Sequence, residues 1–141
     1  MTLPTMRIET LHGRQCLSTG TRWEPVVGYS RAVRSGELIA VTGTIGVNAD
    51  GSIPPAADDQ ARQALRIVLS AIHALGGRTE DVIRTRIYVT DIGQWQTIGR
   101  VHAEVLGHVR PATSMVQVSR LADEQAVVEI EADAVVREPT Q

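Results

Sequence analysis

Three carboxylates stand at alternate positions near the end of this chain, Glu129, Glu131 and Asp133, and two arginines alternate earlier, at Arg84 and Arg86. In an extended strand, side chains two residues apart share a face, so each set forms a row. A row of carboxylates repels itself and needs cations or water; a row of guanidiniums supplies cations. If the two strands share a sheet, Arg84 and Arg86 lie on the acidic side, where each cross-strand pair of opposite charges contributes roughly 0.2–1 kcal/mol. Two readings are open. The face is charge-balanced and solvated, or it packs against copies of the same chain, leaving clefts between chains in which charges stay available for chemistry.

The elements that must position these rows are legible around them. Residues Ala126–Val136 alternate strictly, with Val127, Glu129, Glu131, Asp133 and Val135 on one side and Val128, Ile130, Ala132, Ala134 and Val136 on the other. The uniformly apolar side requires a core. Val82–Val89 alternates too: Ile83, Thr85, Ile87 and Val89 are expected on one face, and Val82, Arg84, Arg86 and Tyr88 on the other. Further strands are expected over Thr113–Val118, over Tyr29–Val33 and Leu38–Thr44 joined at Ser35-Gly36, and over Arg7–Leu11 and Gln15–Ser18. Gly43 interrupts an apolar run, as a glycine does at a bulge or where something approaches the backbone closely.

Two helices separate the strands. The first spans about Ala57 to Leu75, with Ala61, Ala64, Leu65, Val68, Leu69 and Ile72 on one stripe and Gly76-Gly77 as its stop. The second spans about Gly93 to Leu106, with Asp91 as N-cap and Trp95, Ile98, Val101 and Val105 on its buried side. His102 lies near that side, within reach of a pocket. Residues 1–28 are less patterned. Strands, helix, strand, helix and two final strands predict an α+β arrangement: a mixed sheet with two helices packed on one face, in a single domain over residues 1–141.

Composition narrows the functions. Net charge is −2, all 14 basic residues are Arg, and Trp23, Trp95, Tyr29 and Tyr88 are the only aromatics. Neither the basic field nor the aromatic platform of a nucleic-acid binder is present, and the absence of Lys removes Schiff-base chemistry. Cys16 is the single cysteine, and the histidines at 12, 73, 102 and 108 have no metal-ligand spacing. There is no phosphate loop, H-E-x-x-H helix or G-x-S-x-G elbow, so no cofactor or metal is expected. The N-terminal stretch lacks a signal peptide's apolar run, and no segment approaches membrane-spanning length, so a cytoplasmic protein without membrane partners is expected.

From Tyr29 to Val136 the chain resembles the YjgF/RidA family. The likeness rests on YSRAV, ELIAVTGTIG, QARQALRIVLSAIHALGG, DVIRTRIYVTD, VRPATSMVQVSRL and VVEIEADAV in that order. The resemblance implies a chorismate-mutase-like fold, a homotrimer whose sheets line a barrel, small-molecule clefts between subunits, and enamine/imine deaminase chemistry. It implies Glu129 as the catalytic carboxylate that orients or activates water. Tyr29, Thr42 and Gly43 fall at cleft positions, while Thr44 and Gly99 replace the common glutamine and asparagine.

The arginine that grips the substrate carboxylate in R-P-A-R is replaced, in RPAT, by Thr113. A charged hydrogen bond is worth roughly 1.5–3 kcal/mol, so the loss weakens 2-iminopropanoate binding at least about tenfold. Arg84 and Arg86 are the nearest replacement cations. Three functions follow. The first is a hydrolase for an imine, an enamine or a related small metabolite, inefficient on 2-iminopropanoate. The second is a non-catalytic binding or regulatory trimer. The third, an RNA-acting translation inhibitor or nuclease, is disfavoured by the acidic charge.

Overall fold

The computed structural model describes residues 1–137; the expected domain extends to residue 141, and residues 138–141 lie outside the described residues. Seven strands, β1 (Arg7–Leu11), β2 (Arg14–Ser18), β3 (Ala32–Ser35), β4 (Leu38–Ile45), β5 (Val82–Val89), β6 (Ala112–Gln117) and β7 (Val128–Val135), form one sheet in the order β1-β2-β3-β4-β7-β5-β6. All pairs are antiparallel except β5 with β6. That parallel pair needs a crossover, and helix α3 (Trp95–Leu106) supplies it. The other helices are α1 (Trp23–Val27) and α2 (Ala57–Ala74).

The core lies between the long helices and one sheet face. Ala61, Ala64, Leu65, Val68 and Ile72 of α2, three or four apart, are fully buried against Ile39, Val41, Ile130 and Ala132. Gly76, in the left-handed region at φ +90°, turns the chain away after α2. Two buried glutamines of α2 face loops rather than the apolar core. Gln60 donates to Pro54 O and Gln125 O, each at 2.9 Å, and accepts from Val127 N at 2.9 Å. Gln63 donates to Thr2 O and Val47 O. These bonds fasten the loops that rim the site described below.

The register places the two charged rows together. Arg84 lies opposite Asp133, Arg86 opposite Glu131 and Tyr88 opposite Glu129, on the face away from the long helices. The apolar row of β7 and Thr85, Ile87 and Val89 of β5 are buried on the helix face. Several expectations are corrected. Ile83 is half exposed and Val82 is buried, because the β5–β7 register shifts between Val82 and Arg84 and changes the alternation there. Trp95 is 56% exposed: it opens α3 after a 3-10 turn, before the buried stripe of Ile98 and Val101 begins.

The strand expected from Tyr29 starts at Ala32. Residues 23–27 instead form the unexpected helix α1, whose Glu24 carbonyl accepts from both Gly28 N and Tyr29 N. Those N–H groups close a helix and are unavailable to a ladder. Asp91 does cap the approach to α3, accepting from Gly93 N at 2.8 Å.

Candidate functional site

The pairing of β4 with β7 runs regularly from Leu38↔Val135 to Val41↔Ala132 and resumes at Thr44↔Ile130, so β4 carries one extra residue: a β-bulge. Gly43 sits in that bulge, and a Cβ there would stand 2.5 Å from Glu129 Oε2 and 2.8 Å from Glu129 Cδ. The missing side chain is therefore the seat of the Glu129 carboxylate. Gly43 is required for space rather than for an unusual φ.

Beside this seat lies Arg31, 5% exposed. Its guanidinium donates to Gly43 O at 2.8 Å, to Thr44 Oγ1 at 3.3 Å and to Tyr29 Oη at 3.4 Å. Behind it, Glu24 Oε2 lies 4.0 Å away and accepts from Thr21 N, Thr21 Oγ1 and Thr19 Oγ1. Burial pushes the Glu24 carboxyl up, but donors on Ser18 and Thr21 and the Arg31 charge together hold it below the usual value. Glu24 Oε1 is buried without a partner.

The three carboxylates of β7 now separate. Glu131 accepts from Tyr88 Oη at 2.9 Å and from Arg86 at 3.5 Å, and Asp133 pairs with Arg86 at 3.2 Å. Glu129 has no hydrogen-bond donor among the described residues. Burial pushes its carboxyl above the usual carboxylate value; Arg31 pulls it back, and Glu131 adds to the rise. A half-buried, unpaired carboxylate with a raised pKa beside a fixed cation can take a proton from water near neutral pH.

Glu129, Gly43, Thr44, Arg31 and Tyr29 line one cleft of about 960 Å³, which Trp23 and Val27 of α1 also line. Of the residues singled out from sequence, the structure thus brings together Glu129, Tyr29 and Gly43. Thr42, Arg84, Arg86 and Thr113 are not among the residues lining this cleft. Arg86 is engaged by Glu131 and Asp133. Thr113 Oγ1 meets Thr85 Oγ1 at 2.8 Å and His102 Nε2 at 3.5 Å, and Thr85 itself meets His102 Nε2 at 2.8 Å. Among the described residues, no group of three or more His, Cys, Asp or Glu side chains is placed to hold a metal ion, and no helix is long and apolar enough to cross a membrane.

The profile of the family described as Endoribonuclease L-PSP matches residues 19–136. The chain belongs to this family. Among its curated members, the 2-iminobutanoate/2-iminopropanoate deaminase of Escherichia coli is 33% identical, over 77% of this chain and 88% of that protein. A crystal structure of a YjgF/YER057c/UK114 family protein from Mycobacterium tuberculosis is 47% identical, with a TM-score of 0.81 over 87% of this chain and 99% of that one. The structure of E. coli TdcF with bound serine is 33% identical with a TM-score of 0.73, over 77% and 88% of the two chains.

The YjgF fold was thus legible, but two site residues were not singled out from sequence. Arg31 carries a usable signal, a lone arginine inside YSRAV at the entrance to an apolar strand. Glu24 belongs to a five-residue helix too short to show a period.

Proposed function

We propose that this chain hydrolyses the C=N bond of a small imine, with Glu129 as general base. The observation that carries this reading is the Glu129 carboxylate: unlike Glu131 and Asp133 it has no hydrogen-bond or ion-pair partner among the described residues, and it rests on Gly43 inside the cleft. Glu129 takes a proton from water as the water oxygen adds to the imine carbon, and the nitrogen gains a proton. The resulting tetrahedral carbon forms a C=O bond and expels ammonia, so imine plus water gives carbonyl plus ammonia. Arg31 opposes the rise of the Glu129 pKa and, itself bonded to Tyr29 Oη, donates to the Gly43 carbonyl beneath it. The deaminase named among the relatives and the serine bound to TdcF support a small amino-acid-like ligand.

Thr113 stands where the resemblance places an arginine, so 2-iminopropanoate is a poor substrate in this reading. Imines made in situ by an amino-acid oxidase, with ammonia release followed, provide the test. Glu129→Gln should lower kcat by about 10²–10⁴-fold; unchanged turnover would remove Glu129 from the mechanism.

The working unit in this reading is a homotrimer. The edge strand β6 is largely exposed, and Ile83 and Val116 add exposed apolar surface at that edge. Light scattering should return three times the 15.3 kDa chain mass; a monomer at micromolar concentration would overturn this assembly.

A further inference from the structure

Arg31 is a buried cation with two carboxylates near it, and it treats them differently. Glu24 Oε2 lies 4.0 Å from its guanidinium. Glu129, seated on Gly43, makes no ion pair with it among the described residues. We infer that Glu24 and Arg31 are a positioning pair for Glu129: Glu24 anchors the guanidinium on the Gly43 carbonyl, from where its charge reaches Glu129 without occupying it. The inference rests on the reading of Glu129 as general base, and it adds what keeps that base free.

Burial is the first argument. Arg31 and Glu24 are each 5% exposed, and burial within one chain persists when copies assemble. A buried charge is costly unless it is paired and hydrogen-bonded, so the guanidinium goes to the carboxylate that is held for it. Glu24 is held. Its Oε2 accepts from Thr21 N at 2.9 Å, Thr21 Oγ1 at 2.8 Å and Thr19 Oγ1 at 3.2 Å. Its backbone carbonyl accepts from Gly28 N and Tyr29 N, which closes α1. One residue thus fixes its own side chain and the approach of Tyr29, whose hydroxyl accepts from Arg31.

The second argument is where the guanidinium spends its bonds. Nη1 donates to Gly43 O and Thr44 Oγ1, and Nη2 to Tyr29 Oη on the side of Glu24. The bulge that seats Glu129 is therefore tied to Arg31 at two successive residues, and Glu129 itself is left open. Other ionisable groups do not replace this cation. Glu131, on the same strand, and Tyr88, opposite on β5, bond each other. β4 brings only Gly43, Thr44 and Ile45 to this stretch of β7. Arg22, Asp123 and Glu124 are the remaining charged residues of the cleft lining. Burial raises the Glu129 carboxyl, Arg31 opposes the rise and Glu131 adds to it.

The test titrates Glu129 directly, by carbon NMR of its carboxyl, assigned with Glu129→Gln. Three proteins are compared: native, Glu24→Gln, and the double variant Glu24→Gln/Arg31→Gln. Glu24→Gln keeps an oxygen for Thr19 and Thr21 and puts its amide nitrogen where Glu24 Oε1 has no partner among the described residues. Without its anchor the guanidinium turns to Glu129. Pairing with Arg lowers a carboxylate by about 1–3 units, so the titration should move down by at least about one unit. In the double variant no cation remains there, and the titration should move above the native one. The acid limb of kcat/KM should follow both shifts. The imine's own protonation, and any group a neighbouring copy contributes, are common to the three proteins and cancel in the differences.

Opposite shifts are what a merely structural role for Glu24 would not produce. Equal titrations in the native protein and Glu24→Gln, or a rise in both variants, would overturn the inference. Should Glu24→Gln fail to fold, the double variant decides, because it leaves neither buried charge alone: a titration at or below the native one would overturn the pair. Failure of the base reads differently. The expected NMR shifts with turnover unchanged in Glu129→Gln would keep the pair and remove the base. Turnover lost in Glu129→Gln, with one Glu129 titration in all three proteins, would keep the base and remove the pair.

Discussion

Two polar clusters sit on opposite faces of the sheet, and they solve the problem of burying polarity in opposite ways. On the helix face, Thr85 is completely buried, its hydroxyl 2.8 Å from both His102 Nε2 and Thr113 Oγ1, and Thr113 Oγ1 also lies 3.2 Å from Pro111 O. Burial holds the His102 pKa below its usual value, so the cluster is neutral and its members satisfy one another. On the other face, Glu129 is left without a donor, with a cation at one side and a cleft in front. An unsatisfied charged group costs folding free energy. A network whose members bond one another has less to offer a ligand; an open carboxylate, with Arg31 favouring its charge, is available to a reactant. The comparison supports placing the proposed chemistry at the group left incomplete.

The open cluster should be broken most strongly by filling the seat at Gly43. In Gly43→Ala the new methyl would meet the tip of a flexible side chain, Glu129 Oε2 and Cδ, rather than backbone. The carboxylate can swing aside, so the unfolding midpoint should move little. A displacement of about 1 Å costs on the order of 10²-fold in rate, and kcat/KM for the preferred imine should fall by about that factor. A large loss of stability with unchanged turnover per folded molecule would mean that the bulge serves the sheet and not the carboxylate.

Legibility in the sequence follows the same division. Alternation in β7 and β5 and the apolar stripe of α2 announced the sheet, the core and the pairing of Arg86 with the acidic row, because those patterns repeat over many residues. Glu129 and Gly43 stood out by type and motif, but that one is the seat of the other depends on a bulge that joins residues 86 positions apart. Ile83 was misplaced for a related reason: a register shift spoils a period of two, and nothing in VIRTRIYV marks it. Thr113 drew attention as the missing arginine; that its hydroxyl meets Thr85 depends on the parallel β5–β6 register, which the sequence does not mark. The helix α1 was hidden because it has only five residues and is held by one buried glutamate.

The closed cluster offers a smaller effect, and its sign follows from the His102 shift. In the unfolded chain His102 titrates near its ordinary 6.5, whereas burial in the folded protein disfavours the imidazolium. As pH falls through 6.5, the unfolded state takes up a proton that the folded state does not, so His102 withdraws stability until the pH reaches its lowered folded pKa. Above 6.5 both states are neutral and the penalty vanishes. His102→Asn keeps a donor and an acceptor beside Thr85 and should cost within about 1 kcal/mol at pH 8, but it lacks the titration. Denaturant midpoints of the two proteins should therefore converge, or cross, between pH 8 and pH 5.5, the native protein losing more. Parallel pH profiles would mean that the imidazole is free to charge in place, and the neutral cluster would then be no contrast to the ionised one across the sheet.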